Sequence, residues 1–464
     1  MPDPISRALL NRVFILFLLS AGLYHLPEAI KSLRLPFVGT TDMFSKDAKA
    51  ASADLASKEN QRPPSSPGKN GITFPLSSVF NDDPSFLTKD RVPVIRMDGQ
   101  IPVLIQGFLP HFSTIENGRY VTHLDGDYTI VWTVDPRLQQ RIGKYILAHR
   151  VPYGVFVAAN PTNGRLIAFW GSRYNSFSPD ILLRATYPAA SLFKIITSTD
   201  ALSHHRITPN TRIHFHGCLY CIGPAYWKSN RRRDRLEFTV AEALGKSINT
   251  VFAKIALKYL TPEDLRQTAT RYGFNRTINS DIPIDPSHAN IPEDLNGFAF
   301  ASAGFGDVAI SPVHAAMIAA SLSNDGVMME PHLIEKIIDK NGKEIYHDRP
   351  TYLFPVASPR ISHTMIGMMR STVAKGTGRR AFFRWRSNPR LRNVLVAGKT
   401  GTLTGKNPAG HYEWFIGTAS NENPTIAVAA LTIDQGIWTI KGPDIASKGM
   451  FTFFNEKPSQ RVPG

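Results

Sequence analysis

The order in which strand-type and helix-type segments follow one another constrains this chain more than any single residue does. A helix signature opens at Asp135-Pro136, an N-cap carboxylate followed by proline at the first helical position. A hairpin pattern comes next. Its arms are Val155-Phe-Val-Ala-Ala159 and Arg165-Leu-Ile-Ala-Phe-Trp170, joined by Asn160-Pro-Thr-Asn-Gly164, whose Asn-Gly pair suits the positive φ of a chain reversal. The stretch from Ser191 to about Ser323 then reads as mostly helical. Three more strand-type runs close the pattern: Asn393-Val-Leu-Val-Ala397, Glu413-Trp-Phe-Ile-Gly-Thr418 and Thr425-Ile-Ala-Val-Ala-Ala-Leu-Thr432. Strands first, helices in the middle and strands last imply one antiparallel β-sheet built from both ends of a domain, with the helical middle packed on it. The expected fold class is therefore α+β, over residues 134–445.

Ahead of that domain, Arg7 and Arg12 precede the apolar run Val13–Tyr24, the pattern of an export signal or signal-anchor. No clear Ala-x-Ala cleavage site follows, so residues 1–30 are read as an uncleaved single-pass anchor in the inner (cytoplasmic) membrane. The bulk of the chain then lies on the extracytoplasmic, periplasmic side. Residues 31–70, rich in Ser, Ala, Lys and Pro, read as a flexible linker. Short β-type runs between 71 and 133 predict a small β-rich module or an embellishment of the next domain, and residues 446–464 a C-terminal tail. The formal net charge of +16 favours anionic surroundings such as anionic lipid or an acidic wall polymer. Nucleic acid is disfavoured: no arginine-rich repeat, zinc-finger spacing or aromatic RNA-binding signature accompanies the charge.

Three short motifs carry the chemistry. In Tyr187-Pro-Ala-Ala-Ser191-Leu-Phe-Lys194, proline precedes a helix whose first turn holds Ser191, and Lys194 lies one turn on, within reach of the hydroxyl. Hydrocarbon from Leu192, Phe193, Ile195 and Ile196 surrounds the pair, and a desolvated lysine tends to lose its proton, becoming a base for the serine. The second motif follows a capping box, Thr239-Val-Ala-Glu242: Ser247-Ile-Asn249 falls in a break between two helices and can aim a hydroxyl and an amide into one cavity. Its plainer reading is an N-cap serine. The third is Lys399-Thr400-Gly401-Thr402 on a strand, where Gly401 leaves room for another backbone to approach. By itself it is also compatible with an exposed turn and a solvated lysine.

In combination and in this order, Ser-x-x-Lys, Ser-x-Asn and Lys-Thr-Gly are the signature of penicillin-binding proteins and serine β-lactamases. Between Thr133 and Asp434 the chain resembles the transpeptidase domain of monofunctional penicillin-binding proteins, with further similar segments at Asn160–Ala168, Gly304–Met317 and Trp414–Gly417. The resemblance implies that Ser191 attacks a D-alanyl-D-alanine stem peptide to form an acyl-enzyme, with Lys194 as its base. Ser247 relays a proton to the leaving D-alanine, and Asn249, Lys399, Thr400, Gly401 and Thr402 bind the substrate. Backbone N–H groups of Ser191 and Thr402 form the oxyanion hole. It implies no metal and no cofactor, peptidoglycan stem peptides as partners, and β-lactams as covalent inhibitors. D,D-carboxypeptidase, serine β-lactamase and non-catalytic penicillin sensor are the alternatives that share the motifs.

One cluster stands outside this set. His214-Phe-His-Gly-Cys218-Leu-Tyr-Cys221 holds the chain's two cysteines. In an exported protein they most often pair as a disulfide. The adjacent His-x-His also supplies zinc-ligand chemistry, and free thiols are a third reading. The basic runs Arg231–Arg235 and Arg379–Arg386 are expected to be solvated faces.

Overall fold

A computed structural model describes residues 94–98, 101–106, 114–124, 128–385, 387–421, 425–436 and 439–455. The expected anchor, the linker and residues 71–93 lie outside the described residues.

The two ends of the domain meet in a six-stranded antiparallel sheet. Its order is Leu395–Lys406, Ala409–Ser420, Thr425–Asp434, Tyr153–Ala159, Leu166–Arg173 and Ser176–Phe177. The early hairpin therefore docks on the last strand, Ala427 opposite Ala159 and Ile433 opposite Tyr153. Thr425–Asp434 is almost wholly buried, which is why it reads as an unbroken apolar run rather than an alternating one: both faces of the sheet are covered. Register sorts the side chains. Phe415, Ala430 and Phe156 line up across three strands and face the helices Pro136–Ala148 and Gly442–Asn455. Their neighbours Ile416, Ala429 and Val157 face the opposite layer, built round the fully buried helix Pro312–Leu322 and the helical middle.

The helix Pro136–Ala148 begins as expected, Asp135 accepting hydrogen bonds from the N–H groups of Arg137 and Leu138. Gly164 supplies the positive φ of the hairpin turn, at 80°. Two segments bear on the expected domain boundaries. Strands Thr114–Glu116, Arg119–Leu124 and Tyr128–Trp132, expected within the module 71–133, pair with Ile334–Asp339 and Glu344–His347 in one five-stranded sheet. Residues 446–455, expected in a C-terminal tail, belong to the helix Gly442–Asn455, whose Ile445, Ala446 and Met450 are buried against the sheet. At Gly449 of that helix the Phe156 ring lies 2.2 Å from where a Cβ would stand, so only glycine fits there.

Candidate active site

The three motifs converge. Ser191, Ser247, Asn249, Thr400 and Thr402 line one cavity of about 500 Å³, together with Tyr220, Phe305, Thr377, Glu413, Lys441 and Pro443. Ser191 lies in a 3₁₀ turn, Ala190–Phe193, and the α-helix proper begins at Lys194. That differs from the expected first α-helical turn, and the difference favours the pair. With three residues per turn, positions i and i+3 eclipse, and Lys194 Nζ sits 2.7 Å from Ser191 Oγ.

The turn is held under constraint. Ala190 has φ of 49°, a left-handed conformation that costs a non-glycine residue of order 1 kcal/mol. Trp414 Nε1 donates to Pro188 O at 3.0 Å, and Ala189 N donates to Val308 O at 2.9 Å. Gly304, with φ of 90°, packs against the same turn so closely that a Cβ would lie 1.9 Å from Ala190 O. Gly401 does let another backbone approach, but the neighbour is this turn: Ala189 O and Ala190 Cβ lie 3.4 Å from where its Cβ would be.

Lys194 is fully buried and among the described residues has three polar neighbours, Ser191 Oγ, Asn249 Oδ1 at 2.9 Å and Ala303 O at 2.7 Å. No carboxylate is among them. Burial first, and the charge of Lys399 second, push its amine well below the ordinary lysine range. A neutral amine has two N–H donors and one lone pair. The amide and carbonyl oxygens can only accept, so they take the two donors. The lone pair is left facing the Ser191 hydroxyl, which donates to it.

Ser247 occupies the C-cap of the helix Val240–Lys246 with φ of 57°, not the N-cap of the next helix, where Ile248 stands. The capping box at Thr239 and Glu242 is formed. The left-handed cap turns the Ser247 hydroxyl into the cavity, where Lys399 Nζ donates to it at 2.8 Å and to Thr400 O at 2.8 Å. Lys399 is also fully buried, which lowers its amine to about 7. It can therefore give up and regain a proton near neutrality.

Lys399 to Thr402 lie within the twelve-residue edge strand Leu395–Lys406. Thr400 and Thr402 share a face, where the Thr400 hydroxyl bonds that of Thr377 and Thr402 Oγ1 donates to Glu413 Oε2 at 3.1 Å. Lys441 Nζ reaches the other oxygen of Glu413 at 3.0 Å. Glu413, Lys441, Thr377, Phe305 and Tyr220 were not legible as site residues. Glu413 is next to Thr402 only through cross-strand register, and that register is invisible in the sequence.

Cys218 and Cys221 are joined as a disulfide. The neighbouring histidines turn to carboxylates rather than to the cysteines: His214 pairs with Glu237 at 3.0 Å, and His216 with Asp234.

Two serine hydroxyls on one cavity, each against a buried amine, beside an edge strand, form an arrangement that could support serine acyl transfer. A sequence profile of the penicillin binding protein transpeptidase domain matches residues 154–447. The chain belongs to that family. The peptidoglycan D,D-transpeptidase PbpA of Mycolicibacterium smegmatis is 28% identical over 275 residues, covering 54% of this chain and 50% of that protein. The PbpA of Mycobacterium tuberculosis is 23% identical over 349 residues, 64% of this chain and 66% of the relative. The chain thus spans about half the length of the first and just under two thirds of the second. Among solved structures, the D,D-transpeptidase domain of a peptidoglycan glycosyltransferase from Eggerthella lenta superposes with a TM-score of 0.59 at 25% identity, covering 70% of this chain and 82% of that one. The imipenem acyl-enzyme complex of penicillin-binding protein A from M. tuberculosis gives 0.58 at 22% identity, covering 70% and 79%. At that identity the likeness is one of fold.

Proposed function

We propose that this protein is a serine D,D-transpeptidase that cross-links peptidoglycan stem peptides. The observation that carries the reading is the 2.7 Å contact between Ser191 Oγ and a buried Lys194 amine whose other two partners only accept hydrogen bonds. Ser191 Oγ attacks the carbonyl of the penultimate D-alanine while its proton passes to Lys194 Nζ. Backbone N–H groups of Ser191 and Thr402 stabilise the oxyanion. The C–N bond breaks, and the leaving D-alanine nitrogen takes a proton from Ser247; the proton that Lys194 took from Ser191 replaces it, with Lys399 hydrogen-bonded to Ser247, so that Lys194 is neutral again. An acceptor amine then attacks the acyl-enzyme and loses its proton to Lys194, which passes it to Ser191 Oγ as the ester bond breaks. Asn249 and the edge strand 399–402 align the donor peptide by strand addition, with Thr400 and Thr402 at its terminal carboxylate. To hold that carboxylate, Thr402 exchanges its donor from Glu413 to the substrate.

β-Lactams are expected to acylate the same hydroxyl. The basic charge and the N-terminal run 13–24 support an extracytoplasmic domain tethered to the inner membrane; among the described residues no helix is long and apolar enough to cross one. The test is labelling with a fluorescent penicillin followed by D-alanine release from a pentapeptide donor, with and without an acceptor amine. Durable label lost in Ser191→Ala, together with amine-dependent cross-linked product, supports the reading. Rapid loss of label turns it towards β-lactamase. Release without cross-linking turns it towards carboxypeptidase, and label without any release towards a sensor.

A further inference from the structure

Between the strands Arg212–Phe215 and Leu236–Thr239 the chain makes a long excursion that opens with the disulfide-closed loop Cys218–Cys221. Three successive carbonyls of that loop serve one target, the start of the helix Asn249–Tyr259. Leu219 O accepts from Asn249 N at 3.2 Å, Tyr220 O from Asn249 Nδ2 at 2.8 Å, and Cys221 O from Thr250 Oγ1 at 2.8 Å. The loop's ring is closed a second time from within, Cys218 N donating to Cys221 Sγ at 3.1 Å. The Tyr220 side chain, 60% exposed, stands on the rim of the cavity.

The middle contact decides an orientation. An amide has an accepting end and a donating end. Because Tyr220 O can only accept, it takes the Asn249 NH₂, and Oδ1 is turned to Lys194 Nζ. The reversed amide would set its NH₂ against the amine's own donors and oppose two oxygens at the loop. Without the carbonyl the amide can turn, and in a reversed amide the lone pair of Lys194 has a donor to meet other than Ser191.

We propose that the Cys218–Cys221 loop is a positioning element for acylation: by fixing the Tyr220 carbonyl it sets the Asn249 amide, which directs the Lys194 lone pair at Ser191. Acylation is then redox-dependent. The inference rests on the reading of Ser191 and Lys194 as nucleophile and base. The chemistry is a two-electron exchange with a dithiol: the dithiol sulfurs are oxidised to a disulfide, the Cys218–Cys221 bond is broken, and both cysteines leave as thiols. Cys218 is exposed, so a dithiol can reach it. The rest of the excursion is held separately. Lys254 Nζ donates to Asp234 Oδ2 at 2.6 Å, His216 pairs with the same carboxylate and with Ala225 O at 2.8 Å, and Trp227 packs on Ala253 and Ala299. Reduction therefore loosens the loop 218–221 alone.

The test compares acylation by a fluorescent penicillin in the full chain, air-oxidised and after reduction with dithiothreitol, with free thiols counted chemically and the folded fraction followed by near-ultraviolet circular dichroism. Cys218→Ala/Cys221→Ala is measured alongside. The expected result is acylation about tenfold slower at neutral pH in both the reduced protein and the double variant. The acidic limb of the rate profile moves to higher pH, because a loosened rim admits water to Lys194. Reoxidation restores the wild type and not the variant. Equal rates in both redox states, with two thiols counted, would overturn the proposal, as would a slowing that merely follows loss of folded protein. If the double variant does not fold, the reduced wild type decides alone. No label on the oxidised wild type sinks the parent reading and this one with it, whereas equally fast label in both states sinks only the loop's role.

Discussion

Lys194 and Lys254 are both buried, and both touch the helix Asn249–Tyr259 or sit on it, yet they are put to opposite uses. Lys254 Nζ lies 2.6 Å from the carboxylate of Asp234, which His216 also contacts. Burial works to raise the Asp234 carboxyl, but the hydrogen bonds from His216 and Lys254 outweigh it and hold the group at about 2. That lysine is one half of an ion pair and fastens the excursion 216–235 to the helix. Among the described residues, Lys194 has three polar contacts and no counter-charge. Burying an amine without an anion displaces its proton, and the displaced proton leaves a base. What separates a fastening lysine from a reactive one here is a single carboxylate, present five residues along the same helix and missing at its start.

The contrast is open to attack at several strengths. The largest effect belongs to Lys194→Ala, which is expected to slow penicillin acylation by about a hundredfold or more, as loss of a general base does. A stopped-flow rate within threefold of the wild type would put the base elsewhere. Lys254→Met is expected to do the reverse. Leaving Asp234 with His216 and the Asn230 N–H but without its lysine costs about 3–5 kcal/mol in urea unfolding, while acylation per folded molecule stays within about threefold. Equal damage to rate and stability in both variants would erase the distinction.

A smaller effect comes from Lys399. Burial lowers its amine to about 7 from an ordinary 10.5. Between those values the unfolded chain binds a proton that the folded one does not, so stability rises with pH across that window, by up to about 1.4 kcal/mol per unit for this group. Unfolding measured from pH 7 to 10 is expected to show a flatter slope in Lys399→Met, and an unchanged slope would deny that the amine is held neutral. The smallest effect is at the cavity's far end. Lys441→Gln leaves Glu413 uncompensated beside Thr402, and KM for a donor ending in a free carboxylate is expected to rise about threefold, a modest value because Lys441 is 43% exposed. A fall in KM would contradict the placement of that carboxylate at Thr402.

Much of this was legible. The meeting of the Val155 hairpin with the late strands followed from apolar runs at both ends of a helical middle, and the turn at Asn163-Gly164 and the caps at Asp135 and Thr239 follow local rules that need no tertiary information. The motif residues Ser191, Lys194, Ser247, Asn249 and Lys399 could be named and then found in contact. What was hidden depends on distance along the chain. Ala303, whose carbonyl completes the shell of Lys194, is 109 residues from it, and nothing local marks a carbonyl as a ligand. The left-handed φ at Ala190 and Ser247 is imposed by packing rather than by residue type, since neither is glycine. Residues 446–455 read as a tail in the sequence because their value lies in covering Phe156 and Phe415, which only the sheet register brings together.

The central claim, that Lys194 acts because no anion neutralises it, is tested most directly by supplying one. Asn249→Asp places a carboxylate where Oδ1 now stands, 2.9 Å from the amine. A charge that close stabilises the protonated lysine and raises its pKa by about 1–3 units. Acylation is expected to collapse at neutral pH and recover at alkaline pH, its acidic limb displaced upward by that amount relative to the wild type. A variant whose rate falls by the same factor at every pH, with the limb unmoved, would contradict it.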